Sequence, residues 1–153
     1  MYQTEMSSPS KNYTVLVIED QPLDMALIED VVESEKIPVH LISFDCGEKA
    51  IQYLKQQKTP GLRPDLILLD LKLSGVQSLE ILKKLRAEPR FGIIPIVILT
   101  SIESAWVVLD AYRLGCNCYI KKSLEPKDFS QSVSAIFDFW LNFAVLPDRE
   151  GAR

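Results

Sequence analysis

Acidic, hydroxyl and basic side chains stand at the ends of several apolar runs, and together their types suit phosphoryl chemistry. These terminal residues are Glu19, Asp20, Asp70, Thr100, Ser101, Lys121 and Lys122. If the runs are strands whose ends converge, three carboxylates meet a hydroxyl and an ammonium, and the acids raise one another's pKa. A hard divalent cation such as Mg²⁺ relieves this repulsion, because it takes carboxylate oxygens and also binds phosphate. The pattern therefore suggests a site that holds a phosphoryl group on or near an acid.

Asp70 follows the most continuous of these runs. The run, residues 66–69, is entirely apolar, and Ser74 and Gly75 then break the chain. An unbroken apolar run between turn formers is typical of a strand buried on both faces. Ligands of open α/β sheets bind in the crevice at the carboxyl ends of the strands, and an aspartate there can act as a nucleophile that becomes an aspartyl phosphate. Taken alone, Asp70 could equally cap a loop or the following helix.

Strand-like and helix-like segments alternate five times along the chain. Apolar runs predict strands at residues 14–18, 39–44, 66–69, 93–99 and 117–120. Segments with helical apolar spacing predict helices at residues 22–35, 48–57, 76–87, 104–114 and 125–144. Asp20 is the predicted cap of the first helix, and Gly115 is the predicted end of the fourth. The alternation predicts an α/β fold, a five-stranded parallel sheet with helices on both faces.

The overall composition excludes several classes of protein. The chain has 153 residues, 47% of them hydrophobic, and a net charge of -4. It has no basic run to suggest nucleic-acid binding, no apolar stretch near the roughly 20 residues that span a bilayer, and no signal-peptide core. We expect a cytoplasmic protein with a flexible leader over residues 1–12, one domain over 13–144 and an extension over 145–153. The odd cysteine number argues against a disulfide framework, so Cys46, Cys116 and Cys118 are interpreted as packing residues.

Four short segments give the chain a specific resemblance to the receiver domain of two-component response regulators, a flavodoxin-like (βα)5 fold. They are Val17-Ile18-Glu19-Asp20, Leu68-Leu69-Asp70-Leu71, Ile98-Leu99-Thr100 and Tyr119-Ile120-Lys121-Lys122. The resemblance covers about residues 13–143. It implies that Asp70 accepts a phosphoryl group from a partner histidine kinase. It also implies a Mg²⁺ site in which Asp20 binds directly, Glu19 acts through water and Lys72 contributes its backbone carbonyl.

The same resemblance gives roles to three residues on the other side of the predicted site. Lys122, three residues after Tyr119, matches the lysine that contacts the phosphoryl oxygens, whereas Lys121 is expected in solvent. Thr100 and Tyr119 match the switch pair of the family, in which the hydroxyl moves to the phosphate and the ring rotates inward. The resemblance thus implies a signalling protein rather than an enzyme, beyond its own phosphotransfer and dephosphorylation.

The end of the chain resembles a narrower group, the phytochrome-associated response regulators. The segments that carry this likeness are Phe139-Trp140-Leu141, Val145-Leu146-Pro147 and Cys118-Tyr119-Ile120-Lys121-Lys122-Ser123. Members are single-domain regulators that dimerise partly through this extension. The likeness implies a bacteriophytochrome-type sensor kinase as partner and signalling by changed dimerisation or partner binding. We expect no output domain after Arg153, and no nucleic-acid or membrane partner.

The last predicted helix has more apolar side chains than one buried face needs. A stripe sufficient to pack on the sheet consists of Phe129, Val133, Ile136, Phe137, Trp140 and Leu141. Phe139 and Phe143 lie one turn apart off this stripe. If exposed, they form with Val145 and Leu146 a patch that a monomer does not tolerate well. We expect a homodimer seam there, and a wide core contact is the alternative.

Three residues depart from the receiver pattern. Lys72 stands where a small amide is common, and Ser74 and Ser123 stand where prolines are common. Lys72 could reach over the phosphoryl group, or it could pair with Glu19 or Asp20 and compete with Mg²⁺. Because serine lacks the tertiary amide that makes a cis bond accessible, Ser123 predicts either an altered loop or a strained bond. A receiver-like interaction module that works without phosphorylation therefore remains an alternative.

Two further functions compete with the receiver interpretation. A phosphohydrolase of the haloacid-dehalogenase kind also uses an aspartate nucleophile, but it needs a second acid where Lys72 stands. A flavodoxin-like electron carrier needs a hydroxyl- and glycine-rich phosphate loop after the first strand. The sequence has Glu19-Asp20-Gln21-Pro22 there, which would repel a phosphate.

Overall fold

The apolar runs form strands in the computed structural model of the protein, which describes residues 12–73, 76–77 and 79–148. Within these residues, the strands are β1 (Tyr13–Ile18), β2 (Val39–Phe44), β3 (Leu66–Leu69), β4 (Lys72–Leu73), β5 (Val76–Gln77), β6 (Ile96–Thr100) and β7 (Cys118–Lys121). Five of them make one parallel sheet in the order β2-β1-β3-β6-β7. The short strands β4 and β5 pair with each other in an antiparallel hairpin.

Helices connect the strands and cover both faces of the sheet. They are α1 (Pro22–Ser34), α2 (Gly47–Gln56), α3 (Leu79–Ala87), α4 (Ala105–Arg113) and α5 (Pro126–Phe137), with a 3-10 turn at Pro60–Leu62. A π-helical turn, Asp138–Phe143, continues α5. The predicted fold class is confirmed: this is a flavodoxin-like α/β fold with five parallel strands.

Each face of the sheet buries its own apolar cluster, because successive side chains of a strand point to opposite faces. On β3, Ile67 and Leu69 join the cluster under α2, α3 and α4. Leu66 and Leu68 join the cluster under α1 and α5, which includes Phe129. All four β3 residues are buried. The central strand is thus covered on both sides, as its unbroken apolar run predicts.

Four predicted boundaries or caps were wrong. The predicted strand 93–99 begins at Ile96, because Arg86 binds the carbonyls of Gly92 and Ile94 in the turn before it. The predicted helix 76–87 begins at Leu79, because residues 76–77 pair with β4 instead. Asp20 does not cap α1, whose capping position is Gln21 without a side-chain cap bond. The last helix is α-helical only to residue 137.

The chain after α5 is tied to the rest of the molecule at Leu146 and Asp148. Leu146 packs against the cluster beneath α5, and the Arg63 guanidinium donates to the carbonyl of Asp148 at 2.5 Å. By contrast, Phe139, Phe143 and Val145 are 54%, 73% and 99% exposed. The structure therefore separates Leu146 from the other three residues of the predicted seam.

Some expectations concern residues outside the described ranges. They are the leader up to residue 11, the break at Ser74 and Gly75, and the extension from residue 149 onward. Among the described residues, no helix combines the length and apolar character needed to cross a membrane.

Candidate functional site

Three carboxylates converge at the carboxyl end of the parallel sheet. Glu19 and Asp20 follow β1, and Asp70 follows β3. The two strands are in register, with Ile18 beside Leu69, so the acids that follow them lie side by side at the same edge of the sheet. One oxygen from each of the three side chains lies within 4.8 Å of the others. Three hard oxygen donors this close suit a hard divalent cation.

The ammonium of Lys122 lies among these acids. Its backbone N–H donates to the carbonyl of Thr100 at 2.8 Å, which continues the β6–β7 pairing by one residue. Its Nζ is 2.5 Å from Glu19, 2.8 Å from Asp70 and 2.8 Å from Asp24. The side chain of Lys122 is only 7% exposed. The exposed Lys121 turns outward and pairs with Glu103, so it is Lys122 that enters the site.

Burial and charge oppose each other in this cluster. Burial raises the pKa of Glu19 to about 7, although hydrogen bonds from Lys122 and from the N–H of Gln21 act to lower it. Burial disfavours the charged form of Lys122, but its three carboxylate partners outweigh this and hold its pKa above the ordinary value. Lys122 is therefore a permanent positive charge at the site, whereas burial disfavours the charged form of Glu19.

The two hydroxyl residues meet at the carbonyl and N–H of Ile102. The N–H of Ile102 donates to Oγ1 of the fully buried Thr100 at 3.4 Å, and the hydroxyl of Tyr119 donates to the carbonyl of Ile102 at 2.8 Å. Burial is the main cause that raises the pKa of Tyr119, and the negative charge of Asp70 raises it further. On the opposite side, the N–H of Tyr119 donates to the hydroxyl of Tyr112 at 3.1 Å. Thr100 and Tyr119 are thus joined through one residue of the β6–α4 loop.

Comparison of the sequence with models of known protein families identifies the family of this chain. Residues 15–134 match the response regulator receiver domain. The chain belongs to this family. Receiver domains are signalling proteins of two-component systems.

Individual relatives match this chain over nearly its whole length. The chain is 35% identical to the response regulator Rcp1 of Synechocystis sp. over 148 residues, which cover 94% of this chain and 98% of that protein. It is also similar to the crystal structure of the phosphorylated cyanobacterial phytochrome response regulator RcpA, with a TM-score of 0.83 and 32% identity over 90% of this chain and all (100%) of that one. The Mn²⁺-bound form of Rcp1 gives a TM-score of 0.81 and 35% identity over 89% and 99% of the two chains. The predicted resemblance to phytochrome-associated regulators is confirmed.

Two residues that depart from the family pattern lie within the described structure. The backbone N–H of Lys72 donates to Oδ1 of Asp70 at 2.9 Å, while its side chain is exposed. Among the described residues, no ion pair joins the ammonium of Lys72 to the acids of the site. No described peptide bond is cis, so the strained bond that Ser123 could have imposed is not present. The Ser123 hydroxyl instead accepts the N–H of Glu125 at 3.1 Å.

Sequence reasoning missed one residue of the site, Asp24. It lies in the first turn of α1, and its carboxylate is 2.8 Å from the ammonium of Lys122. The only signal in the sequence was its position four residues after Asp20, a third acid in the segment Glu19-Asp20-Gln21-Pro22-Leu23-Asp24. An acid in the first turn of a helix is usually explained by the helix dipole alone, so this spacing by itself does not indicate a role in the site.

Proposed function

We propose that this receiver takes a phosphoryl group on Asp70 from the phosphohistidine of a sensor kinase and signals through changed dimerisation or partner binding. The observation that carries the proposal is the buried ammonium of Lys122, 2.8 Å from Asp70. A phosphoryl group on Asp70 would bring negative charge to this point, and a positive charge already fixed there stabilises it without reorganisation. Phosphoryl transfer depends mainly on such positioning and charge neutralisation.

The two oxygens of Asp70 have different partners, which supports a role as nucleophile. Oδ1 accepts the N–H of Lys72 at 2.9 Å, and Oδ2 accepts the ammonium of Lys122 at 2.8 Å. In the proposed transfer, one carboxylate oxygen bonds to phosphorus, the P–N bond breaks, and its electron pair stays on the imidazole of the donor. Lys122 then moves its hydrogen bond from the carboxylate to a phosphoryl oxygen.

We assign the cation site to Glu19, Asp20 and Asp70, with the backbone carbonyl of Lys72 as a further ligand. The carboxylate oxygens within 4.8 Å of one another support this assignment, as does the Mn²⁺-bound form of the relative Rcp1. We propose Mg²⁺ as the resident ion. When bound, it would neutralise charge on the transferred phosphoryl group. The chain's own part is to hold the three acids level at the ends of neighbouring strands.

Thr100 and Tyr119 are the proposed switch pair. The 3.4 Å bond from Ile102 to Thr100 is long and therefore weak, so the hydroxyl of Thr100 can leave it at little cost to bond a phosphoryl oxygen. The ring of Tyr119 is half-buried against the core, and its hydroxyl holds it there by donating to the carbonyl of Ile102. Movement of Thr100 would displace this loop and release the ring of Tyr119, which would carry the change to α4.

We propose a bacteriophytochrome-type histidine kinase as the partner. The support is the nature of the relatives: RcpA is a cyanobacterial phytochrome response regulator, and a further structural relative, RPA3017, acts in red light signalling of R. palustris, with a TM-score of 0.78 and 26% identity. A phosphohydrolase is disfavoured because Lys72 stands where its general acid would be.

One experiment tests phosphorylation. The protein is incubated with a small-molecule phosphodonor, with Mg²⁺ or with chelator, and its intact mass is measured for wild type, Asp70→Asn and the control Asp110→Asn, an exposed acid on α4. We expect an increment of one phosphoryl group in wild type and in the control, only with Mg²⁺, and none in Asp70→Asn. No increment in wild type would overturn the proposal in favour of the phosphorylation-independent module.

We further propose that the receiver forms a homodimer through a seam composed of Phe139, Phe143 and Val145, bounded by Leu146. Its support is the exposure of three large apolar side chains at one end of the molecule, which a monomer tolerates poorly. Light scattering at high micromolar concentration should give a dimer for wild type and a monomer for the Phe139→Asp, Phe143→Asp double variant. Ile93→Asp, at an exposed apolar residue outside the seam, is the control and should stay dimeric. A monomeric wild type, or a dimeric double variant, would refute the seam.

A further inference from the structure

We infer that Asp24 is a positioning residue that holds the ammonium of Lys122 in place for phosphoryl transfer. The inference rests on the proposed function, since it concerns how Lys122 is presented to Asp70. Asp24 is not among the three acids that could hold a cation, but its Oδ2 is 2.8 Å from the Nζ of Lys122. Its role therefore has to act through the lysine.

The ammonium of Lys122 has three N–H donors, and three carboxylates accept them. Glu19, Asp24 and Asp70 each accept one bond. Two of these acceptors also belong to the group of acids that could hold a metal, whereas Asp24 does not. Asp24 is thus the one partner that Lys122 can keep when a cation takes Glu19 and a phosphoryl group takes Asp70.

Placement on α1 makes Asp24 a suitable anchor. A lysine ammonium sits on a flexible four-carbon stem and loses much rotamer freedom when it is fixed. Asp24 belongs to the first turn of a 13-residue helix, so its own position is well defined. The ring of Phe129 lies 6.0 Å from the same Nζ, and together with Asp24 it limits where the ammonium can go.

Loss of Asp24 would have two consequences for the site. The ammonium would be divided between Glu19 and Asp70 alone and would compete more strongly with a cation for both. It would also lack a fixed point from which to turn toward a phosphoryl oxygen. Both effects require Lys122 to be present, and this requirement separates positioning from a general effect of removing one negative charge.

The test is a double-variant cycle on the full chain. Phosphorylation by a small acyl phosphate is followed against donor concentration in wild type, Asp24→Asn, Lys122→Met and the double variant. The control is Asp30→Asn, an exposed acid further along α1. We expect Asp24→Asn to lower the limiting rate about tenfold, the size of one lost charge-assisted hydrogen bond. The half-saturating donor concentration should stay within about twofold, and Asp24→Asn should have no further effect in Lys122→Met. Equal losses in both backgrounds, or an equal loss in Asp30→Asn, would overturn the inference.

A second readout uses Mn²⁺ alone and separates this inference from the proposed function. We expect Asp24→Asn to weaken Mn²⁺ binding several-fold when Lys122 is present and to leave it unchanged in Lys122→Met. If wild type takes no phosphoryl group, the proposed function fails, and the Mn²⁺ cycle still decides whether Asp24 positions Lys122. Equal weakening in both backgrounds would overturn that role.

Discussion

The two ends of the parallel sheet use charged side chains in opposite ways. At the amino end, the guanidinium of Arg86 donates to the carbonyls of Gly115 at 2.7 Å, Ile94 at 2.8 Å and Gly92 at 3.1 Å. It also bonds Asn117, whose side-chain oxygen accepts the N–H of Ile96 at the start of β6. At the carboxyl end, the three partners that the ammonium of Lys122 has among the described residues are all side-chain carboxylates.

This difference distinguishes a charge that stabilises the backbone, Arg86, from one whose partners can change, Lys122. Backbone carbonyls cannot leave without local unfolding, so the bonds of Arg86 fix the loops before β6 and β7. Carboxylates can exchange an ammonium for a metal ion or lose it to a phosphoryl group while the backbone stays in place. A charge that bonds side chains at the end of a strand is therefore better suited to a changing ligand than one that bonds the backbone.

The largest expected effect on stability lies at the amino end. Arg86→Met leaves three partly buried carbonyls without their charged donor, and we expect the free energy of unfolding to fall by about 3 kcal/mol. Urea denaturation measures this, with Arg90→Met as control, since Arg90 makes a longer and more exposed ion pair with Glu88. Mn²⁺ affinity should stay unchanged in both variants. A loss of cation binding in Arg86→Met would contradict the separation of the two ends.

A smaller effect, which a cation can reverse, is expected at the carboxyl end. Lys122→Met leaves the acids of the site without their shared hydrogen-bond donor, and we expect the free energy of unfolding in chelator to fall by about 2 kcal/mol. Mg²⁺ should restore more stability to this variant than it adds to wild type, because the ion no longer competes with an ammonium. Denaturation with and without Mg²⁺ measures the difference. Equal gains in both proteins would argue against exchange of ammonium for cation.

The smallest expected effect is a pH dependence from Glu19. Burial raises its pKa from an ordinary value near 4.5 to about 7, so between these values the folded state binds a proton that the unfolded state lacks. The slope of the unfolding free energy with pH is therefore negative there, and stability contributed by Glu19 is lost as the pH rises from about 4.5 to about 7. Denaturation in chelator should show this slope in wild type and a flatter one in Glu19→Gln. An unchanged slope in Glu19→Gln would place the titration elsewhere.

Most of the fold could be predicted because its signals are local. The unbroken run at residues 66–69 identified the central strand, since four consecutive apolar side chains between turn formers are typical of a strand covered on both faces. The ends of such strands then indicated which acids meet, because parallel strands in register finish at the same edge. Glu19, Asp20 and Asp70 are brought together in this way.

Features that depend on contacts between distant segments could not be predicted. Arg86 looks like a solvent-exposed residue of an amphipathic helix, and only the fold brings Gly115 and Asn117 to it. Asp24 fits an ordinary favourable acid at a helix start, and its bond to Lys122 joins residues 98 apart in sequence. One local feature was also missed: the hairpin of β4 and β5 overrides the helical pattern that begins at residue 76.

The π-helical turn at Asp138–Phe143 determines which way the end of the chain faces. Its widened loop is closed by the N–H of Ala144, which donates to the carbonyl of Phe139 five residues back at 2.8 Å. An α-helix rotates about 100° per residue, so removing one residue from this turn would swing everything after it by nearly a third of a revolution. Leu146 would leave its place against the core, and the hold of Arg63 on Asp148 would be lost. The geometry of any assembly built on Phe139 and Phe143 thus depends on this π-helical turn.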